Sequence, residues 1–454
     1  MLPLGPAGAG HSPYSGHSAF AGSPLLLSPE RLRDQGLLTE AELSGRPRFP
    51  EEHVDFERAL PWKHGLLRKA FARFLVAGPE FQAHFQGFRS APQQSAWLED
   101  WTLYSALKAR HGGASWTDWP EPLRRREPQA LEDARRELRD EIDFHAFAQF
   151  LFFQQWEALH NAAREKDVAI FGDAPIYVAL DSADVWAHPE LFDLDEQLRP
   201  RAVSGVPPDY FSETGQLWGN PLYRWQRMSE DGFAWWTTRL RANLRVADIV
   251  RIDHFRAFAS YWAVPAGEKT AVRGRWIKAP GRALFRAVRE ALGDVAIVAE
   301  DLGHITPDVG RLLALTQFPR MKVLQFAFSK LDDPFLPHHY DRNCVVYTGT
   351  HDNDTTRGWW STLNDTDRRR VLDYVGGDPA APEWGLIRVA YESVAERAVV
   401  PVQDVLGFGS EARMNTPSMP SGNWGWRARR EHFAPELASR LRRLSELSGR
   451  CDSL

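Results

Sequence analysis

Five short segments of the chain are mostly apolar without a regular alternation of polar residues, and helical patterns separate most of them. These segments are 168–171, 247–252, 295–299, 323–328 and 345–348. Continuous rather than alternating hydrophobicity is typical of strands that are buried on both faces of a parallel sheet. Between them, residues 281–292 and 307–315 carry apolar side chains at helical spacing. The pattern predicts an α/β fold in which strands and helices alternate.

Four of these segments run into acidic residues. Asp173, Asp253 and Glu300 follow three of them within two positions, and Asp352 comes shortly after the last. The strands of a parallel barrel end on one rim, so acids that are distant in sequence can converge on one cleft. An open doubly wound sheet also gathers function at its strand ends, but the sequence lacks the Gly-rich phosphate loop that usually accompanies it. We therefore predict a (β/α)8 TIM barrel with helical and loop insertions.

No internal repeat, low-complexity tract or linker divides the chain, which predicts one catalytic barrel domain over residues 1–454. Residues 28–140 are predicted to form a mostly helical insertion, since Ser28 and Pro29 have the character of an N-cap and a first helical position. Residues 203–225 combine paired prolines with Tyr210, Phe211 and Trp218. We expect an ordered loop there that offers flat apolar faces to a sugar, although a plain structural loop is the alternative.

Composition excludes several functional classes. With 55 Lys+Arg against 60 Asp+Glu, the net charge is -5 and a nucleic-acid partner is not expected. The longest apolar stretch, 147–156, is interrupted by three Gln and is shorter than the ~20 residues of a membrane span, so no membrane partner is expected. The N-terminus lacks a secretory leader, and Cys344 and Cys451 are the only cysteines, which favours a cytoplasmic protein.

Asp253, Glu300 and Asp352 are the candidate catalytic residues. For any one of them, a helix cap or a surface ion pair is the simpler interpretation. Together they are more telling, because a charge that follows a buried strand is costly without a partner or a purpose. Glycoside cleavage requires such a set: one carboxylic acid protonates the leaving oxygen and a carboxylate attacks the anomeric carbon. A third carboxylate can hold sugar hydroxyls.

Basic side chains flank these acids. Arg251 lies two residues before Asp253, so we expect it on the same side of the strand, where it would keep Asp253 ionised. His254 and His351 are candidate ligands of sugar hydroxyls, and a satisfied core histidine is the alternative for each.

Competing motifs are absent. The sequence contains no Walker A loop, HExxH or GxSxG motif, and the Asp352-Asn353-Asp354 run lacks the Gly and the closing Glu of an EF-hand. We expect no cofactor and no metal, with a divalent ion at the carboxylates as the open alternative.

Beyond these residues, the chain resembles the amylomaltases, the 4-α-glucanotransferases of glycoside hydrolase family 77. The resemblance covers nearly the whole chain through the ordered blocks SPYSGHSAFAGSP, GDAPIYVALDSADVWAHPE, GVPPDYFSETGQLWGNPLY, VRIDHFR, VAEDLG, VLQFAF, YTGTHDNDTT, PVQDVLGFGSEARMN and PSGNWGWR. It implies a (β/α)8 barrel and a retaining transfer of α-1,4-glucan segments, without a cofactor. Asp253 would be the nucleophile, Glu300 the acid/base and Asp352 the transition-state stabiliser.

The same resemblance implies a set of sugar-binding residues. Tyr14 would line the cleavage point, and Trp218 would belong to a loop, 203–225, that covers the active site. The substrates would be α-1,4-glucans and maltooligosaccharides, with glucose as an acceptor. The residues expected to contact the donor sugars are Asp173, Arg251, His254, His351 and Asn423.

Two departures from the family pattern affect these expectations. Members normally begin ~45 residues earlier, so the first βα unit of the barrel is expected to be missing from this chain, and a start codon assigned too late is our hypothesis. Ala9 stands where many members have an aromatic residue, which places a remote glucan contact in doubt. An α-amylase-like hydrolase and a catalytically impaired glucan-binding protein are the alternative functions.

Overall fold

The computed structural model describes residues 1–208, 212–303, 305–330 and 332–451. The chain divides into two compact units. The first unit comprises Met1–Arg48, Phe56–Ile297 and Ile305–Thr316, and the second comprises Phe49–Asp55, Val298–His304 and Gln317–Leu454. The candidate residues from Tyr14 to His254 therefore belong to the first unit, and those from Glu300 to Asn423 belong to the second.

The first unit contains two sets of strands among many helices. Strands β1 (Phe171–Ala174) and β4 (Ile249–Ile252) pair in parallel. Strands β2 (Ala202–Val206), β3 (Gln216–Pro221), β5 (Ser260–Pro265) and β6 (Arg275–Lys278) form an antiparallel sheet in the order β3-β2-β5-β6. Its helices are α1 (Pro29–Asp34), α2 (Glu40–Ser44), α3 (Phe56–Leu75), α4 (Pro79–Ser90), α5 (Leu98–Arg110), α6 (Glu121–Arg124), α7 (Pro128–Glu137), α8 (Arg139–Arg164), α9 (Ala183–Ala187), α10 (Trp225–Glu230), α11 (Ala234–Val246), α12 (Gly281–Leu292) and α13 (Pro307–Thr316).

The second unit is built around parallel strands that alternate with helices. Strand β7 (Ile297–Ala299) leads into this unit, where β8 (Arg320–Val323), β9 (Cys344–Tyr347) and β10 (Arg397–Val399) follow in the order β7-β8-β9-β10. Every residue of β9 is buried, which explains its continuous apolar pattern. The helices are α14 (Thr356–Thr362), α15 (Asp365–Val375), α16 (Pro382–Glu392), α17 (Val402–Leu406) and α18 (Pro435–Leu447).

The strand predicted at 323–328 is wrong in position. Strand β8 ends at Val323, and residues 324–326 form a single 3₁₀ turn. Strand β8 was placed too far along the chain because Arg320 and Lys322 interrupt its apolar pattern. Lys322 is accommodated because its ammonium group lies 5.3 Å from the ring centroid of Phe335 and donates a hydrogen bond to a backbone carbonyl.

The segment 203–225, which we expected to be an ordered loop, contains regular secondary structure. Strands β2 and β3 pair antiparallel in this segment, and Trp225 already opens helix α10. Gly205 permits the pairing, since a Cβ there would lie 2.5 Å from the carbonyl oxygen of Gln216. Tyr210 and Phe211, which we predicted to present aromatic faces, lie outside the described residues.

Helices dominate residues 28–140, as the pattern indicated. The Ser28 side chain accepts a hydrogen bond from the Arg31 amide and Pro29 is the first helical residue, so the predicted start of α1 is confirmed. Helices α3, α4 and α8 pack through a cluster of phenylalanines in which the rings of Phe74 and Phe147 stack at 4.6 Å. None of the described helices is long and apolar enough to cross a membrane.

The segment that carries Tyr14 is fastened to helix α8 at Gly22. The buried Gln149 amide donates to the carbonyl oxygen of Gly22 at 2.9 Å, and its carbonyl accepts from the Gly22 amide at 2.8 Å. The ring of Phe152 packs directly on Gly22, so a Cβ there would lie 2.1 Å from ring carbons. Only glycine allows both contacts.

Gly22→Ala is expected to lower the free energy of unfolding by about 1–3 kcal/mol, because an added methyl group overpacks the contact with Phe152. The matched control is Gly65→Ala in the exposed middle of α3, where a Cβ meets nothing within 4 Å. That variant is expected to gain about 0.5–1 kcal/mol from helix propensity. Urea unfolding measures both, and equal stability of the two variants would contradict the packing argument.

Candidate active site

The parallel register of β1 and β4 places a carboxylate opposite a guanidinium. Asp173 pairs with Arg251 in this register, and both residues are buried. Arg251 Nη1 donates to Asp173 Oδ2 at 2.6 Å, while Nη2 donates to Asp253 Oδ1 at 2.6 Å. The predicted contact between Arg251 and Asp253 is confirmed. Asp173 lies within β1 rather than after it, which corrects its predicted position.

Tyr14 joins this group. Its hydroxyl donates to Asp173 Oδ2 at 2.6 Å, and the Ser12 hydroxyl accepts from the Tyr14 amide at 3.2 Å. Burial, together with the negative charge of Asp173, raises the pKa of the Tyr14 hydroxyl well above its usual value. Tyr14 is therefore a neutral hydrogen-bond donor at physiological pH.

The contacts of Tyr14 and Arg251 both involve the same carboxylate oxygen of Asp173, Oδ2. Its Oδ1 atom is buried and accepts no hydrogen bond from the residues that the structure describes. A buried carboxylate oxygen without a donor is costly, so the arrangement favours a ligand hydroxyl at this atom.

The rings of His254 and Trp218 contact each other in the first unit. The edge of one ring meets the face of the other at a centroid distance of 4.6 Å. His254 follows Asp253 with a left-handed φ of 54°, an uncommon conformation that turns the chain sharply after β4. Burial lowers the pKa of His254 to about 3, with the charge of Arg256 adding to the shift, so the imidazole is neutral at pH 7. Trp218 remains 37% exposed on β3.

Glu300 directly follows β7 in the second unit and is buried. Its Oε1 accepts a hydrogen bond from the Leu302 amide at 2.7 Å. The next residue, Asp301, is anchored to β8 by the Arg320 guanidinium at 2.6 Å and by the Met321 amide at 3.0 Å. This anchor fixes the backbone that carries Glu300.

Asp352 is held by side chains from the segment that follows α17. Asn415 Nδ2 donates to Asp352 Oδ1 at 2.6 Å, and Arg413 donates to the Asp352 carbonyl at 2.8 Å. His351 Nε2 lies 3.3 Å from Asp352 Oδ2. The Asp352 side chain is 44% exposed, which leaves it accessible to a ligand.

Asn423 lies in a turn whose backbone its side chain supports. Its Oδ1 accepts from the Thr416 amide at 2.9 Å, and its Nδ2 donates to the carbonyls of Thr416 at 3.3 Å and Met419 at 3.1 Å. The following residue, Trp424, places its ring 5.8 Å from that of His351. Asn423 therefore shapes the loop beside His351.

Each unit thus brings together one group of the predicted residues. In the first unit, direct contacts join Asp173, Arg251 and Asp253 with Tyr14, and His254 with Trp218. In the second unit, contacts join His351 with Asp352, and His351 with Trp424 beside Asn423.

Sequence reasoning missed Asn415 and Arg413. Both lie in the block PVQDVLGFGSEARMN, which was recognised as a signature without a role for any of its residues. Nothing in the spacing connects residues 352 and 415, because their contact depends on the path of the chain through α14–α17.

Comparisons with known proteins point to one family. The model of the glycoside hydrolase 77 family, described as 4-alpha-glucanotransferase, matches residues 1–432. The 4-alpha-glucanotransferase of Thermus thermophilus is 49% identical over 99% of this chain and 91% of its own length. The enzyme of the same name from Synechocystis is also 49% identical, over 99% of this chain and 90% of its own.

A solved structure shares the fold. The amylomaltase from Streptococcus agalactiae, in complex with acarbose, superimposes with a TM-score of 0.96 and 35% identity, over 99% of this chain and 91% of that one. The predicted α/β fold of the TIM-barrel type is confirmed by this match. By family model, sequence identity and structure alike, the chain belongs to the 4-alpha-glucanotransferase family, glycoside hydrolase family 77.

Proposed function

We propose that this enzyme, a 4-α-glucanotransferase acting on α-1,4-glucans and maltooligosaccharides, uses Asp253 as nucleophile, Glu300 as acid/base and Asp352 as stabiliser of the transition state. The observation that carries the proposal is the Arg251 guanidinium, which bonds Asp253 and Asp173 at 2.6 Å each. A cation in contact with Asp253 favours the ionised form that a nucleophile requires.

The first step forms a glycosyl-enzyme. A carboxylate oxygen of Asp253 attacks the anomeric carbon as the glycosidic bond breaks, and the Glu300 carboxyl gives its proton to the departing oxygen of the glucan. Glu300 suits this role by its position, since it directly follows β7, is buried, and has its carboxyl group oriented by the Leu302 amide.

The second step transfers the glucan segment. The 4-hydroxyl of another glucan, or of glucose, attacks the same carbon, gives its proton to Glu300 and displaces the Asp253 carboxylate. The anomeric configuration is inverted twice and so retained.

Asp352 would hold hydroxyls of the reacting sugar as positive charge develops on its ring. The hydrogen bond from Asn415 and the contact with His351 orient its carboxylate for this purpose. His351 and Asn423 would add further contacts to the donor sugar.

The remaining first-unit residues would bind the donor. The Asp173 oxygen that accepts no bond from the described residues is suited to a sugar hydroxyl. Neutral His254 can donate to or accept from a hydroxyl, and the hydroxyl of Tyr14 can line the cleavage point. Trp218 is exposed on β3 and offers an aromatic face to a sugar ring. It would also help to exclude water from the glycosyl-enzyme intermediate.

We place the enzyme in the cytoplasm. Its two cysteines are both free thiols, Cys344 buried and Cys451 exposed, which suits a reducing compartment.

Incubation with maltotriose tests the reaction class. Transfer is expected to yield glucose together with maltooligosaccharides longer than the substrate, resolved by mass spectrometry. A rise in reducing ends without any longer product would instead indicate hydrolysis.

Asp253→Asn is expected to lower kcat on maltotriose about 10³-fold or more, because an amide cannot attack the anomeric carbon. Binding of maltotriose, measured by calorimetry, should persist. Unchanged turnover would refute the assignment of the nucleophile.

The matched control is Asp248→Asn, at the opposite end of β4. Asp248 is bonded to Arg164 at 2.9 Å, His160 at 2.8 Å and the Ile170 amide at 2.8 Å. Burial alone would raise the pKa of Asp248, but these hydrogen bonds outweigh it and lower the pKa to about 2. Its ionised form therefore stabilises the fold above pH ~4, and this stability is lost as the pH falls toward ~2. At pH 7, this variant should lose stability and keep its kcat.

Asn415→Ala is expected to lower kcat/KM about 10- to 100-fold, since a hydrogen bond to a carboxylate is worth about 1.5–3 kcal/mol. Asn364→Ala is the control. Asn364 Nδ2 donates a hydrogen bond of the same kind to Asp367 Oδ2 at 2.8 Å, and neither residue belongs to the candidate site. Equal kcat/KM for the two variants on maltotriose would show that Asn415 does not support Asp352.

A further inference from the structure

A buried carboxylate lies beneath the loop that carries Asp352. Asp404, on α17, is 1% exposed. Its Oδ2 accepts hydrogen bonds from the hydroxyls of Thr348 at 2.6 Å and Thr356 at 2.8 Å, and its Oδ1 accepts from the Thr356 amide at 2.7 Å. Both threonines are fully buried.

These two threonines are the ends of one loop. Thr348 directly follows β9, and Thr356 is the first residue of α14. The loop between them carries His351 and Asp352. A single carboxylate therefore fastens both ends of the loop to the same point and sets the distance between them.

The loop is also attached at Asp354, two residues before Thr356. The Gln325 amide donates to the Asp354 carbonyl at 2.9 Å, and the Ser410 hydroxyl donates to Asp354 Oδ2 at 2.7 Å. Packing is close, since a Cβ at Gly349 would lie 2.7 Å from Gln325 Nε2. Asp352 therefore lies between attached points of the loop, and its position depends on them.

Enclosing Asp404 in this way costs free energy. Burial raises the pKa of its carboxyl, while the hydrogen bonds from Thr348 and Thr356 act in the opposite direction. A buried carboxyl group of this kind is tolerated where its donors are well placed, and the geometry here supplies three of them.

We propose that Asp404 is a positioning residue for the transfer reaction, acting through Thr348 and Thr356 to hold Asp352 in its reactive place. The inference rests on the proposed role of Asp352 as transition-state stabiliser. Displacement of a catalytic group by about 1 Å can cost about 100-fold in rate, so this attachment has a direct consequence for kcat.

The sharpest test compares Thr348→Val with Thr348→Ser in the full-length enzyme. Valine removes the hydroxyl that Asp404 accepts, whereas serine keeps it. We expect Thr348→Val to lower kcat on maltotriose about 10- to 100-fold with KM changed less than about threefold, and Thr348→Ser to stay within about threefold of the original kcat. Asp404→Asn should resemble the valine variant.

Asp333→Asn is the matched control for loss of stability. Asp333 is also buried, accepts from a hydroxyl (Ser329, 2.6 Å) and from an amide (Phe335, 3.0 Å), and supports a loop that carries none of the site residues. Both Asp333→Asn and Thr348→Val are expected to lower Tm, but Asp333→Asn should keep its kcat. If Thr348→Val is folded and keeps its kcat, or if Asp333→Asn loses as much kcat at equal Tm, the positioning role is wrong.

Asp352→Asn, measured in the same series, separates this inference from the proposed function. An inactive Asp352→Asn together with an active Thr348→Val overturns only the role of Asp404. An active Asp352→Asn overturns the proposed role of Asp352 itself, and the inference about Asp404 fails with it.

Discussion

A guanidinium shared between two carboxylates organises the first unit. Arg251 contacts Asp173 across the β1–β4 pairing and Asp253 along its own strand, so one positive charge is shared by a buried carboxylate and a partly exposed one. The register decides this, because a shift of one residue would turn Arg251 to the other face of the sheet. The hydroxyl of Tyr14 then binds the same oxygen of Asp173 and brings the N-terminal segment to the strand ends.

In the second unit, Glu300 and Asp352 are supported by different contacts. Glu300 is placed by a backbone amide and by the anchoring of its neighbour Asp301 on β8. Asp352 receives an amide hydrogen bond from Asn415, and Asp404 ties together the ends of its loop. Each of these supports fixes the orientation of one carboxylate, which its proposed task in the reaction requires.

Features that depend on local pattern could be predicted from the sequence. Buried strands followed by acids indicated the α/β fold and the candidate carboxylates, and the spacing of Arg251 and Asp253 predicted their contact. Strand β8 was misplaced because Arg320 and Lys322 hide its pattern, and Lys322 is tolerated only through contacts made by the folded chain. Asn415 and Asp404 could not be predicted because their partners are more than forty residues away in sequence.

The turn around Asn423 has a consequence for the way a sugar can be recognised there. Both amide hydrogens of Asn423 are engaged by the carbonyls of Thr416 and Met419, and one lone pair of Oδ1 is taken by the Thr416 amide. What remains is a single acceptor position. While the turn is intact, the contact proposed between this side chain and a donor sugar is therefore restricted to a hydroxyl that donates its hydrogen to Oδ1, which a deoxy or O-methyl group cannot do.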